Sequence, residues 1–231
     1  MKELKIIETE DGSHSLFVPS LNETYHSFHG ALQESRHVFI NMGLQYFVEK
    51  YAVKKVSILE IGFGTGLNTI LTIGSAIERA FEIKYTTLEP HPISKDIIGQ
   101  LNYTSLLNEK KLELQFNRIH DCPWGDSVLI LDNFTLRKEK LKLENYTSAP
   151  ASFDIVYYDA FAPSKQAELW TLEIIKKVAG FMKPGGVLVT YCAKGQFKRD
   201  LKEAEFTVET LPGPPGKKEM VRGIKQLIPF S

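Results

Sequence analysis

The stretch "ILEIGFGTGLNTI", residues 58–70, constrains this chain more than any other. An apolar run ends at Glu60 and Ile61, glycines follow at Gly62, Gly64 and Gly66, and a helix-compatible segment opens at Leu67. Strand, glycine loop and helix in that order open a parallel sheet covered by helices, with the loop free to meet a ligand. A dinucleotide fingerprint requires Gly-x-Gly-x-x-Gly; counted from Gly62, its third glycine falls on Leu67, so the fingerprint fails. The loop instead combines exposed backbone amides with an acid, Glu60. That pairing suits a ligand carrying an ammonium better than a pyrophosphate.

The pattern that follows sustains the reading. Strands are expected at 56–61, 82–89, 112–119, 153–160 and 187–191, and helices at 67–80, 92–107, 167–182 and 195–206. "KPGG", residues 183–186, reads as a turn. The runs at 206–211 and 220–227 predict an antiparallel pair at one side of the sheet, and 126–145, with Asp132-Asn133 at its turn, reads as an inserted hairpin. Ahead of Val56, residues 4–18 predict a hairpin around Asp11-Gly12. Val38, Phe39, Met42, Tyr46 and Phe47 then recur at helical spacing. The expected organisation is one structural unit: an N-terminal extension over 1–55 packed on a core domain over 56–231.

Charge and composition narrow the function. Lys plus Arg and Asp plus Glu each number 28, so no long-range field recruits a polyanion, and a nucleic-acid partner needs a local basic patch. Cys122 and Cys192 have neither metal nor disulfide spacing, and the six histidines form no metal-ligand pattern. With no apolar leader and no run long enough to span a bilayer, the expected location is the cytoplasm, away from membranes.

In a doubly wound sheet, ligands lie at the carboxyl ends of the strands. Glu89 closes the second strand in "YTTLEP", where a carboxylate can accept both hydroxyls of a ribose. A nucleoside joined to an amino-acid tail satisfies Glu60 and Glu89 together, and S-adenosylmethionine is such a molecule. Asp159 ends the fourth strand on the same crevice, followed by Phe161 and Pro163. Methyl transfer is an in-line displacement in which the enzyme mostly positions the acceptor. An alkylamine acceptor must also shed a proton: near pH 7 only about one in a thousand is neutral, an obstacle of roughly 4 kcal/mol. Asp159 is assigned to orienting that amine and taking its proton, and Phe161 to walling the site with a ring face.

"EIGFGTGLN", "YYDAFAPSKQAELWT", "KPGGVLVTYCAKG" and "LPGPPGKKEMVRG" together resemble the methyltransferase domain of the bifunctional tRNA wobble-uridine enzyme family MnmC. The resemblance runs from "ETYHSFHGALQESRHVF" to the last strand. It implies a class I methyltransferase fold of the α/β, Rossmann-like type with a seven-stranded sheet. It also implies methylation of 5-aminomethyl-(2-thio)uridine at the tRNA wobble position, with S-adenosylmethionine as donor. Carried over by motif, Glu60, Gly62, Gly64, Gly66 and Asn68 form the cofactor loop, Glu89 holds the ribose and Asp159 meets the amine. Asp121, in "NRIHDCPWGD", is a candidate for the adenine amino group. No flavin oxidase module is expected within these residues, so another enzyme must supply the aminomethyl group.

Lys194, Lys198 and Arg199 follow the fifth strand, and Lys217, Lys218 and Arg222 flank the late loop. They are candidates for a phosphate-binding rim toward the anticodon region, although such runs also serve as plain solvated surface. Tyr25, His26 and Phe28 offer stacking faces, yet an ordinary packed aromatic cluster accounts for them better. Two other readings share these residues: a small-molecule amine methyltransferase, and a non-catalytic RNA-binding protein of the same fold.

Overall fold

A computed structural model of the chain describes residues 4–107 and 110–227. Strands β1 (Lys5–Glu8) and β2 (His14–Val18) form the expected hairpin, and a short β3 (Glu23–Thr24) adds to β2. Helix α1 (Ala31–Ser35) runs on through a π-helical stretch, Arg36–Gln45, into α2 (Tyr46–Tyr51). Val38, Phe39, Leu44 and Phe47 on this run are buried against the sheet. Gly43 permits the approach, since a Cβ there would stand 3.0 Å from Val189.

The main sheet is built from β4 (Lys55–Ile61), β5 (Glu82–Leu88), β6 (Ser127–Leu131), β7 (Phe134–Glu139), β8 (Phe153–Tyr158), β9 (Met182–Thr190), β10 (Phe206–Pro212) and β11 (Glu219–Lys225). Their spatial order is β10-β11-β9-β8-β4-β5-β7-β6. Strands β9, β8, β4, β5 and β7 are parallel; β11 runs antiparallel to both β9 and β10, as the consecutive final strands predict. From β4 the chain builds outward through β5 and β7, then returns to β8 on the other side of β4. That reversal opens a crevice at the carboxyl ends of β4, β5 and β8.

Side chains alternate between two cores, as the period of two demands. Ile58, Tyr85, Tyr157 and Val189 face a cluster completed by α3 (Leu67–Arg79), the α1–α2 run and α6 (Lys110–Asp121). Leu59, Leu88, Val156, Tyr158 and Leu188 face the other, closed by α7 (Leu172–Phe181) and α8 (Gly195–Glu203).

Five expectations change. Residues 112–119 are not a strand but the body of α6, because Leu112, Phe116 and Ile119 lie three and four apart and are all buried. Burying each contributes about 1.5–3 kcal/mol, more than a strand preference of at most ~1 kcal/mol. The third outer parallel strand is therefore β7, paired with β5, and what reads as an inserted hairpin is part of the main sheet. Its partner β6 makes the sheet eight-stranded, where the resemblance implies seven. The helix expected over 92–107 is two short ones, α4 (Lys95–Ile98) and α5 (Tyr103–Leu107). "KPGG" lies inside β9, where the register against β8 shifts and Gly185 takes φ +78°, so the expected turn is an irregularity within a strand.

Candidate active site

A cavity of about 1000 Å³ occupies the crevice. Its walls include Gly62 and Gly64 from the loop after β4, Asn68 from the first turn of α3, Glu89 after β5, and Asp159 and Phe161 after β8. Three separate strand ends thus deliver to one space the residues that the sequence singles out at those ends.

The glycine loop is held by a carbonyl of the neighbouring strand. Gly62 and Phe63 both donate their N–H groups to the Leu88 carbonyl, at 3.0 and 3.2 Å. This holds the loop against the end of β5. Gly62 adopts φ +98°, and a Cβ would lie 2.5 Å from the Asp159 carbonyl oxygen, so nothing larger fits between the ends of β4 and β8. Gly66 does not line the cavity; it precedes α3 and packs against His120.

Glu89 is anchored through both oxygens. Gly64 N–H donates to Oε2 at 3.1 Å and His91 N–H to Oε1 at 2.8 Å. Burial nevertheless raises its pKa. Each oxygen keeps a second lone pair, which leaves acceptor capacity for a diol at the cavity wall.

Asp159 receives a hydrogen bond from Asn68 Nδ2 to its Oδ2 at 2.8 Å. Burial pushes its carboxyl up to about 7; the nearby Glu34 carboxylate adds to the rise, while the Asn68 bond and Lys217 oppose it. Glu34, on α1, is itself buried, accepts from Ser27 N–H at 3.1 Å and is ion-paired with Lys217. The Lys217 ammonium also sits 3.8 Å from the centroid of the Tyr191 ring. The Tyr25 ring packs edge-on to Phe161 at 5.1 Å. Glu34, Lys217, Tyr191 and Tyr25 all line the cavity. Glu34 and Tyr191 are absent from the sequence-derived set. The available signal was an acid in the middle of "HGALQESRHVF", a segment otherwise read only as a packing helix.

Several residues expected to meet a ligand lie outside the cavity lining. Glu60 is fully buried and does not line the cavity. In register with Thr87 of β5 and Tyr157 of β8, it points beneath α3, where Thr69 donates to its Oε2 at 3.3 Å. Burial pushes Glu60 up to about 8, with the Asp159 charge acting in the same direction. Asp121 is exposed at the end of α6, paired with Lys95 and outside the cavity, so it is not placed for an adenine. Arg222 is buried on β11: it donates to Glu209 at 2.7 Å and to the Met42 carbonyl at 3.1 Å, and lies 3.3 Å from the Tyr46 ring centroid. Its task is joining the sheet to the α1–α2 run, not reaching a phosphate. Lys194 and Lys218 are exposed, and neither lines the cavity.

The cavity fits S-adenosylmethionine on its own features. It offers a glycine cradle that a Cβ would fill, a carboxylate with spare acceptor capacity, and one buried acceptor, Asn68 Oδ1, without a partner.

Comparison with known proteins agrees. A family model described as S-adenosyl-L-methionine-dependent methyltransferase matches residues 133–226. The tRNA 5-methylaminomethyl-2-thiouridine biosynthesis bifunctional protein MnmC of Burkholderia thailandensis is 30% identical over 246 residues, covering 94% of this chain and 34% of that protein. The MnmC of Pseudomonas entomophila is 28% identical over 215 residues, 88% of this chain and 32% of its own length. The chain thus spans about a third of the length of these curated relatives. The crystal structure of MNMC2 from Aquifex aeolicus shares the fold, with a TM-score of 0.78 and 22% identity over 100% of this chain and 73% of that one. Residues 133–226 thus match an S-adenosylmethionine-dependent methyltransferase family, the fold is shared with MNMC2, and along nearly all of its length the chain is similar to the MnmC proteins.

Proposed function

We propose that the chain N-methylates 5-aminomethyl-(2-thio)uridine at the wobble position of tRNA, giving the 5-methylaminomethyl form. The observation that carries this reading is Asp159: a carboxylate just after β8, with no direct cation partner among the described residues, facing the space that Glu89 and the glycine loop also line. The MnmC relatives are named for biosynthesis of tRNA 5-methylaminomethyl-2-thiouridine, the same product chemistry.

S-adenosylmethionine supplies an electrophilic methyl group; the chain supplies position and a base. Glu89 and the backbone at Gly62 and Gly64 would hold the donor's nucleoside end. Asp159 takes the proton of the incoming ammonium at a carboxylate oxygen, which frees the nitrogen lone pair. An ordinary aspartate, near 3.9, would take a proton from an amine near 10.4 against about 9 kcal/mol. With Asp159 at about 7, the mismatch falls to roughly 5 kcal/mol. The desolvation that raises the carboxylate also disfavours the bound ammonium and narrows the gap further. Tyr25 and Phe161 bound the acceptor space with ring faces, which suit a planar base and a cationic product.

On the exterior, Lys194, Arg199 and Lys218 are exposed, Lys218 next to the cavity-lining Lys217, and we assign them to tRNA phosphates in the anticodon region. The aminomethyl substrate then comes from an enzyme that acts on the same tRNA. The test is transfer of labelled methyl to tRNA from cells lacking this chain, set against transfer to free alkylamines. Labelling of a wobble nucleoside supports the assignment, and labelling of free amines alone overturns it.

A further inference from the structure

Thr65 stands between Gly64 and Gly66, and both glycines take left-handed backbone, at φ +49° and +75°. Residues this permissive set little of the loop's shape by themselves. Thr65 is fully buried and lies outside the cavity lining, yet two histidines from distant parts of the chain grip it. His26 Nε2 lies 2.7 Å from the Thr65 hydroxyl, and His120 Nε2 donates to the Thr65 carbonyl at 3.2 Å. Burial pushes both imidazoles down to about 4, so both are neutral at pH 7. A neutral imidazole has one N–H to give, and the carbonyl bond places that of His120 on Nε2.

Each histidine is itself fixed. His26 donates its backbone N–H to Ser15 Oγ at 3.0 Å, and its carbonyl accepts from Thr24 Oγ1 at 2.7 Å, which seats it on β2 and β3. One residue earlier, the Tyr25 ring lies 3.1 Å from the place a Cβ on Gly64 would take. His120, near the end of α6, packs on the rings of Phe63 and Phe116, with centroids 5.1 and 4.7 Å away. The loop is thus held from two sides, by chain 39 residues earlier and 55 residues later. What Thr65 joins matters to the cavity: Gly64 N–H donates to Glu89, and Gly66 leads into the helix turn that carries Asn68. We propose that His26 and His120 are positioning residues for the donor site, holding Gly64–Gly66 through Thr65 in the shape that binds S-adenosylmethionine before it arrives. The N-terminal extension is then part of the cofactor site and not packing alone. Such preorganisation raises affinity by removing the cost of ordering the loop on binding. The inference rests on the glycine loop meeting the donor and is independent of the acceptor.

The test is calorimetry of S-adenosylmethionine binding to the whole chain with no acceptor present. Thr65→Val keeps the side chain's shape, removes its hydroxyl and alters no wall of the cavity. It should weaken binding by about five- to tenfold, whereas Thr65→Ser, which keeps the hydroxyl, should stay within about twofold. His26→Phe should weaken binding to a similar degree. Combining it with Thr65→Val should add no more than about twofold, because the two changes remove the same bond. A folded Thr65→Val that binds as the parent does would overturn the proposal, as would a Thr65→Ser as weak as Thr65→Val. Losses that multiply in the double variant would do the same. The parent protein gives a second reading that needs no variant. In hydrogen exchange without cofactor, the Gly66 amide, which donates to the Phe63 carbonyl at 2.8 Å, should exchange at least about a hundredfold slower than a free amide. Exchange at the free rate would show a loop not yet formed and sink the idea. With no acceptor in either measurement, failure of the tRNA assignment and failure of this inference stay separate.

Discussion

Asp154 lies near the amino end of strand β8 and Asp159 directly follows its carboxyl end, and the two have opposite surroundings. At the amino end, Asp154 accepts from Ser57 N–H at 2.8 Å, and Lys183 Nζ bonds both of its oxygens at 2.9 Å. At the carboxyl end, Asp159 has one neutral amide donor, a cavity in front of it and a second carboxylate, Glu34, acting on it. One strand therefore holds a carboxylate whose charge is matched and another whose charge is kept in tension. The difference teaches where chemistry can sit: the matched carboxylate can only stabilise, whereas the unmatched one can exchange a proton near neutral pH.

The sharpest way to break this contrast is Asp159→Ala. Methyl transfer should fall by about a thousandfold or more, with S-adenosylmethionine affinity within about tenfold, since the lost contacts are to the acceptor. Steady-state kinetics and calorimetry check it, and an equal loss of affinity would move Asp159 to the cofactor's side. Next in size is Gly62→Ala, which forces a Cβ into the Asp159 carbonyl at 2.5 Å and strains φ +98°. It should cost about 2 kcal/mol or more in stability and weaken cofactor binding measurably by calorimetry.

Asp154→Ala probes the matched end. Because Lys183 is partly exposed, the expected loss is only about 1–2 kcal/mol in denaturant unfolding. Turnover of the folded enzyme should be unchanged. A fall in kcat comparable to that of Asp159→Ala would erase the distinction between the two ends.

The smallest expected effect is on pH dependence. Asp159 works as the anion, so activity should rise with pH and level off above about 7. Lys217 lowers the Asp159 pKa; Lys217→Ala removes that pull and should move the acid limb upward by as much as about one pH unit. A limb that stays in place, or moves to lower pH, would disconnect the Glu34–Lys217 pair from Asp159.

The parts of this protein that were legible in the chain are those set by short-range periodicity and backbone chemistry. Glycines 62 and 64, Glu89 and Asp159 stand just past strand ends and Asn68 opens the helix that follows, and an alternating sheet brings such ends together wherever its order reverses. Short-range pattern also misled: the apolar spacing of Leu112, Phe116 and Ile119 is helical, but the segment reads as a strand when the alternation is assumed to demand one there. Tertiary structure alone decided which charges are paired. Lys217 and Arg222 look alike as basic residues beside one loop, yet one meets Glu34 from 183 residues earlier and the other Glu209 and Tyr46. Only the packed sheet put Glu60 beneath α3 rather than in the cavity. Local spacing determines which face a residue occupies; the partner waiting on that face comes from distant chain, and that partner sets whether a charge is neutralised, buried or left to react.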